Sequence, residues 1–148
     1  MRGLVLALAL ACAFAAQAAP GEEEDAGLDP DYASGKQALE AKDWRAAIGF
    51  LSSAALRDTR NPDIQNYLGY AYRNRGELAP AFTHYHRALQ LNARHRGAHE
   101  YLGEAYLMSG NLAKADEHLA LLGGICLSPC AEHDMLAQKI AAFRARQR

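Results

Sequence analysis

Apolar residues along this chain recur at helical spacing, and no stretch alternates with the two-residue period of a half-buried strand. Ala81, Tyr85 and Ala88 stand at i, i+4 and i+7, Leu68 and Tyr72 share one helical face, and Met135, Leu136, Ile140 and Phe143 form a further stripe near the C-terminus. The pattern also repeats. Displaced by 34 residues, segment 67–85 superposes on 101–119 with identities at Tyr67/Tyr101, Leu68/Leu102, Gly69/Gly103, Ala71/Ala105, Tyr72/Tyr106, Gly76/Gly110, Leu78/Leu112, Ala79/Ala113, Ala81/Ala115 and His84/His118. A more worn copy one period earlier keeps Gly35, Ala38, Trp44, Ala47, Leu51 and Ala54 in register. A fixed period of this length is the mark of stacked supersecondary units.

Each repeated position has a physical reading. Leu68, Gly69 and Tyr72 lie on the inner face of a first helix, and Gly69, lacking a side chain, admits a second helix closely, with Gly69 expected against Ala81 and Gly103 against Ala115. Tyr72 and Tyr106 are expected to fill the wedge to the next hairpin. Gly76 falls where the first helix must turn, a left-handed position just past a C-terminus. Asp43, Glu77 and Asn111, 34 residues apart, open the second helices; Asp43 and Asn111 are good N-caps and Glu77 a weaker one. Asp29-Pro30 and Asn61-Pro62 open the first two hairpins with a cap and a first-turn proline, whereas Arg94–Gly97 offers no such start for the third. Such hairpins cannot bury both faces alone, and Ser128-Pro129 with the stripe that follows predicts a capping helix over 128–148.

This constellation resembles the tetratricopeptide repeat family over roughly residues 28–127. It departs from the family pattern at Ala38, where a tyrosine is usual, and at Lys42, where the turn glycine would stand. The resemblance implies an all-α fold of three helical hairpins (about 28–61, 62–95 and 96–127) stacked as a short right-handed solenoid. It also implies a concave groove lined by the first helices. Carried onto this sequence, the inward positions are Tyr32, Lys36 and Glu40, then Asn66, Tyr70, Arg73 and Asn74, then Glu100, Glu104 and Met108. Chaperone-docking members clamp a C-terminal carboxylate with an asparagine and basic residues; Tyr67 and Tyr101 stand where that asparagine would be expected, so the clamp is not supported. Tyr70 and Arg73, at i and i+3 and off the packing positions, read as a surface pair that could anchor a partner.

The chain ends add context. Met1-Arg2-Gly3, the apolar run Leu4–Ala16 and Ala16-Gln17-Ala18 make the three-part pattern of a secretory signal peptide over 1–18, too short to span a bilayer comfortably. The competing readings are an uncleaved Ala-rich helix and a lipidated Cys12. Residues 19–29, with Glu22, Glu23, Glu24, Asp25 and Asp29, read as an acidic disordered tether. From Tyr32 onward 15 Lys+Arg face 11 Asp+Glu, too mild and too scattered for a nucleic-acid binder.

Loss of Cys12 with the signal would leave Cys126 and Cys130, read first as a disulfide in an exported protein. The same pair could serve as a redox dithiol, or bind metal with His133 as three ligands, one short of a closed zinc site. His95 and His99, at i and i+4, lack the third ligand of a metal helix; His84 and His118, one repeat apart, read as equivalent structural positions. No serine sits in a nucleophile motif and there is no phosphate loop, so an enzyme is not expected, nor a cofactor. The expected function is a non-enzymatic protein–protein interaction module in the bacterial cell envelope, taking a peptide or helix in the groove, with homodimerisation through the stack ends left open. The alternative is an accessory redox or metal-handling protein acting through Cys126 and Cys130.

Overall fold

The structure, a computed structural model, describes residues 29–128 and 130–147, and those residues form seven helices with no strand among them. They are α1 (Pro30–Glu40), α2 (Trp44–Arg57), α3 (Pro62–Asn74), α4 (Leu78–Leu91), α5 (Arg96–Met108), α6 (Leu112–Ile125) and α7 (Ala131–Arg146). Helices α1/α2, α3/α4 and α5/α6 pair as hairpins, each hairpin touches the next, and α7 closes the stack against α5 and α6. The signal-peptide reading and nearly all of the tether lie outside the described residues.

The three hairpin turns are built alike. Asp43, Glu77 and Asn111 donate their backbone N–H to the carbonyls of Ala38, Tyr72 and Tyr106 at 2.9, 2.9 and 2.8 Å, spanning a residue in the left-handed region. That residue is Gly76 (φ 82°), Gly110 (φ 79°) and, in the first hairpin, Lys42 (φ 57°). The missing glycine therefore does not change the turn; Lys42 adopts the glycine's conformation at the steric cost of its Cβ, on the order of 1 kcal/mol. Lys42→Gly is accordingly expected to stabilise the protein by about 0.5–1 kcal/mol despite the added freedom of the unfolded chain, read from urea denaturation midpoints.

The helix starts follow their caps. Asp29, Asp43, Asn61 and Asn111 each accept backbone N–H bonds through the side chain, whereas Glu77 makes no cap bond and pairs with Arg75 at 2.8 Å. The third hairpin, which carries no recognisable start, is capped by His95, whose Nδ1 accepts from Ala98 N–H at 3.1 Å and whose Nε2 faces Asp63 Oδ1 at 2.8 Å. Two corrections follow from these starts. His95 lies outside the helix, so it does not share a helix face with His99. The seventh helix begins at Ala131 with Cys130 at its N-cap, not at Ser128.

The core is laid down at the junctions between units. One cluster joins the first two hairpins through Leu51, Ile64 and Leu68; another joins the second and third through Ala81, Tyr85, Leu102 and Ala105; a third joins the last hairpin to α7 through Leu107, Leu122, Leu136 and Ile140. Tyr72 packs on the first and second of these clusters and Tyr106 on the second and third, as wedges between hairpins. The glycines make room for large residues rather than small ones. A Cβ at Gly69 would stand 2.6 Å from the Tyr85 ring, and one at Gly103 would stand 2.6 Å from Leu136 of α7. The expected opposition of Gly69 to Ala81 and Gly103 to Ala115 is thus replaced by a ring and by the capping helix.

His84 and His118 do occupy equivalent places. His84 Nδ1 faces Gln65 Oε1 at 2.9 Å, and one repeat later His118 Nδ1 faces His99 Nδ1 at 2.9 Å. His99 donates its Nε2–H to the Ala93 carbonyl at 3.0 Å, which leaves its Nδ1 to accept from His118. These are polar bridges inside hairpins, with Tyr72 stacked on His84 and Tyr106 on His118.

Candidate functional site: an interhelical groove

Helices α3, α5 and α7 are not consecutive in the chain, yet they lie side by side and enclose an open groove of about 630 Å³. Helix α3 contributes Tyr70, Arg73 and Asn74; α5 contributes Glu100, Tyr101, Glu104, Leu107 and Met108; α7 contributes Met135, Lys139, Ala142, Phe143 and Arg146. A smaller hollow of about 240 Å³ continues toward the first hairpin between Lys36, Leu39, Glu40, Tyr67, Tyr70 and Tyr101.

Arg73 forms the floor. Its guanidinium lies over both the Tyr70 and the Tyr101 ring, 5.4 and 5.3 Å from their centroids, which are themselves 4.9 Å apart, a favourable placement of a cation on two π faces. It also pairs with Glu104 across the α3–α5 junction. Only 8% of Arg73 is exposed. The reading of Tyr70 and Arg73 as a free surface pair is therefore corrected for Arg73. An acid 31 residues away on the neighbouring helix holds it, and removing either partner would leave an uncompensated buried charge. Tyr70 remains half-buried at the rim, edge-on to Trp44 at 5.8 Å and against Tyr101 at 4.9 Å.

Glu100 is the other buried charge. It is 3% exposed and makes no ion pair or side-chain hydrogen bond among the described residues. Burial first, then the charges of Glu104 and Glu132, push its carboxyl up to about 7. Burial likewise pushes the Tyr101 phenol up to about 12. The upper walls are apolar and open, Met108 being 54% and Met135 43% exposed.

Of the expected groove residues, Tyr70, Arg73, Asn74, Glu100, Glu104 and Met108 come together in the main groove, and Lys36 and Glu40 in the adjoining hollow. Tyr32 and Asn66 do not: Tyr32 packs in the first core cluster and Asn66 is 4% exposed with its Oδ1 unpartnered. Sequence reasoning missed Tyr101 as a wall residue and missed the whole contribution of α7. A signal was present in α7, since Met135, Lys139, Ala142 and Arg146 recur at i, i+4, i+7 and i+11 beside the packing stripe Leu136, Ile140 and Phe143.

Cys126 and Cys130 form a disulfide, Cα atoms 6.0 Å apart, joining the C-cap of α6 to the N-cap of α7. The bond ties the groove's third wall to the last hairpin at its root. Among the described residues no three His, Cys, Asp or Glu side chains converge as a metal site, and His133 Nδ1 faces Asp134 Oδ1 at 3.2 Å.

No protein-family model matches the chain, and no curated protein sequence is similar to it. Solved structures do share its architecture. The type III secretion translocator chaperone SycD of Yersinia enterocolitica superposes with a TM-score of 0.71 at 15% identity, over 79% of this chain and 83% of that one. The first tetratricopeptide domain of human RPAP3 gives 0.70 at 19% identity, over 79% and 91%. PcrH, in complex with the chaperone-binding region of PopD, gives 0.69 at 18% identity, over 82% and 98%. The fold is therefore the tetratricopeptide stack of helical hairpins that the 34-residue period implies.

Proposed function

We propose that this chain is a non-enzymatic peptide-binding module, exported to the bacterial cell envelope, that takes a segment of a partner protein in the α3–α5–α7 groove. The observation that carries the reading is the groove's composition. Exposed Met108 and Met135 and half-buried Tyr70, Tyr101 and Phe143 surround a charge-paired floor. Apolar and aromatic side chains on a preorganised concave surface are the residue types that anchor interfaces. A groove so built supplies binding area. The similar chaperone PcrH is itself held with a region of its partner, which supports the same use of the fold here. Export rests on the signal pattern over 1–18 and is supported by the Cys126–Cys130 disulfide, a bond that persists in oxidising compartments. No described helix is long and apolar enough to cross a membrane.

The test is site-directed photo-crosslinking in the envelope of the source bacterium. A benzophenone side chain at Met108, in the groove, is expected to yield a discrete adduct that competes with added peptide from the captured partner. The same probe at Arg87, exposed on α4 beside Gln90, is expected to yield none. An adduct from Arg87 with none from Met108 would place the working surface on the opposite face and refute the groove reading.

A further inference from the structure

The groove contains one carboxylate that the fold does not use. Glu104 is matched by Arg73, but Glu100, one helical turn before it on α5, has no described partner although it is 97% buried by its 3% exposure. Glu100 is among the residues that line the groove. The charged groups around it are Arg73 on α3, Glu104 on its own helix, and Glu132 and Lys139 on α7. Arg73 is committed to Glu104 and Glu132 to Arg96. Lys139 stands exposed and within 4 Å of no described carboxylate. An ionised side chain buried without a counter-charge is a costly arrangement, and burial pushes this carboxyl up to about 7. Its surroundings suit a particular cation. Tyr101, Met108 and Met135 line the same groove, a setting that accepts the methylene stem of a basic side chain while its head reaches an acid. Arg73, resting against both Tyr70 and Tyr101, shows that these rings accommodate a guanidinium.

We infer that the groove's occupant presents a lysine or arginine side chain to Glu100, with apolar side chains on either side of it seated against Met108 and Met135. This deepens the peptide-binding reading and rests on it. The specificity is opposite in sign to a carboxylate-gripping clamp: the bound peptide is read by a base inserted among apolar residues.

The probe is a library of random dodecapeptides displayed on phage and selected on the mature protein, on Glu100→Gln and on Glu117→Gln. Glu117 is an exposed carboxylate on α6 outside the groove. Selection on the wild type is expected to enrich Lys or Arg at one fixed position between apolar ones, Glu117→Gln to enrich the same motif, and Glu100→Gln to lose the basic position while keeping the apolar ones. A selected peptide and its Lys→norleucine version should then differ about tenfold in Kd on the wild type, as measured by fluorescence anisotropy, and hardly at all on Glu100→Gln. Photo-crosslinking of the same peptides separates the possible failures. Peptides that crosslink to the groove yet show no basic preference, or prefer an acid opposite Lys139 and Arg146, overturn this inference and leave the peptide-binding reading standing. Peptides that crosslink to α4 or α6, or no enrichment on the wild type, overturn both. Glu100→Gln removes a buried charge, so loss of its fold is not expected; its melting curve is recorded alongside.

Discussion

Gly69→Leu is expected to lower stability by about 3 kcal/mol or more, enough to move the denaturation midpoint well outside error. The first added atom already stands 2.6 Å from two carbons of the Tyr85 ring and 3.0 Å from a third. A flexible side-chain end could swing away, but Tyr85 is fully buried, with Leu102 and Ala105 of the next hairpin in its cluster. The ring can move only by separating α3 from α4 or the second hairpin from the third. Either movement opens a junction cluster, and in a stack whose units contact only their neighbours that loss divides the protein in two. Gly103→Leu is the informative comparison. There the close atoms are the methyls of Leu136, 2.6 and 2.8 Å away, on the terminal helix. That substitution should detach α7 while the first two hairpins stay folded. Hydrogen exchange distinguishes the cases: protection lost throughout α3–α5 in the first, and confined to α5–α7 in the second. Wild-type stability for Gly69→Leu would mean that the α3–α4 contact is wrong.

The different meaning of these two glycines marks where the sequence could and could not be read. The 34-residue period, the turn glycines and the Asp/Asn caps are local and repetitive, so they disclosed the hairpins and their order directly. Cap chemistry with no common motif, such as the imidazole of His95, left the third hairpin's start illegible. Partners across a junction were harder still. The period predicts that Gly103 is met from within its own hairpin, because Gly35 is met by Leu51 and Gly69 by Tyr85, one period on. The third hairpin has no fourth to lean on, and α7 fills the place instead.

The groove was half legible for the same reason. Residues on α3 and α5 were found because the first helices of every unit share one face. What each does there depends on helix-to-helix distances that no periodicity encodes. Arg73 read as a surface residue and Glu104 as a separate groove position, and the two are a largely buried ion pair; Tyr32 and Asn66 read as groove residues and are sunk in packing. Helix α7 carries two adjacent stripes, one that packs and one that lines the groove, and an account of it as a cap used only the first.

Glu100→Gln is expected to stabilise the protein by about 1–3 kcal/mol near pH 8 and by almost nothing near pH 4. The Glu100 carboxyl titrates at about 7 in the folded state against 4.5 unfolded. Between those values the native protein holds a proton that the unfolded chain has released, so this group's contribution to stability falls as pH rises from about 4.5 and is fully lost above about 7. The histidine bridges act in the opposite direction. Burial holds His84, His99 and His118 below the usual imidazole range, His118 at about 4 against 6.5. In that window the unfolded chain binds the additional proton, so their contribution is complete above about 6.5 and is lost as pH falls toward 4. The wild type therefore carries two opposed titrations over nearly the same range, and its own pH–stability curve conceals both. Subtraction separates them: the difference between Glu100→Gln and wild type, from urea denaturation across pH, should rise through about 4.5–7 and then level off. The curve of the variant itself should be the steeper, since only the histidines remain to shape it there. A difference independent of pH would show that Glu100 is ordinarily solvated, and would remove the buried, unmatched carboxylate on which the basic-peptide inference stands.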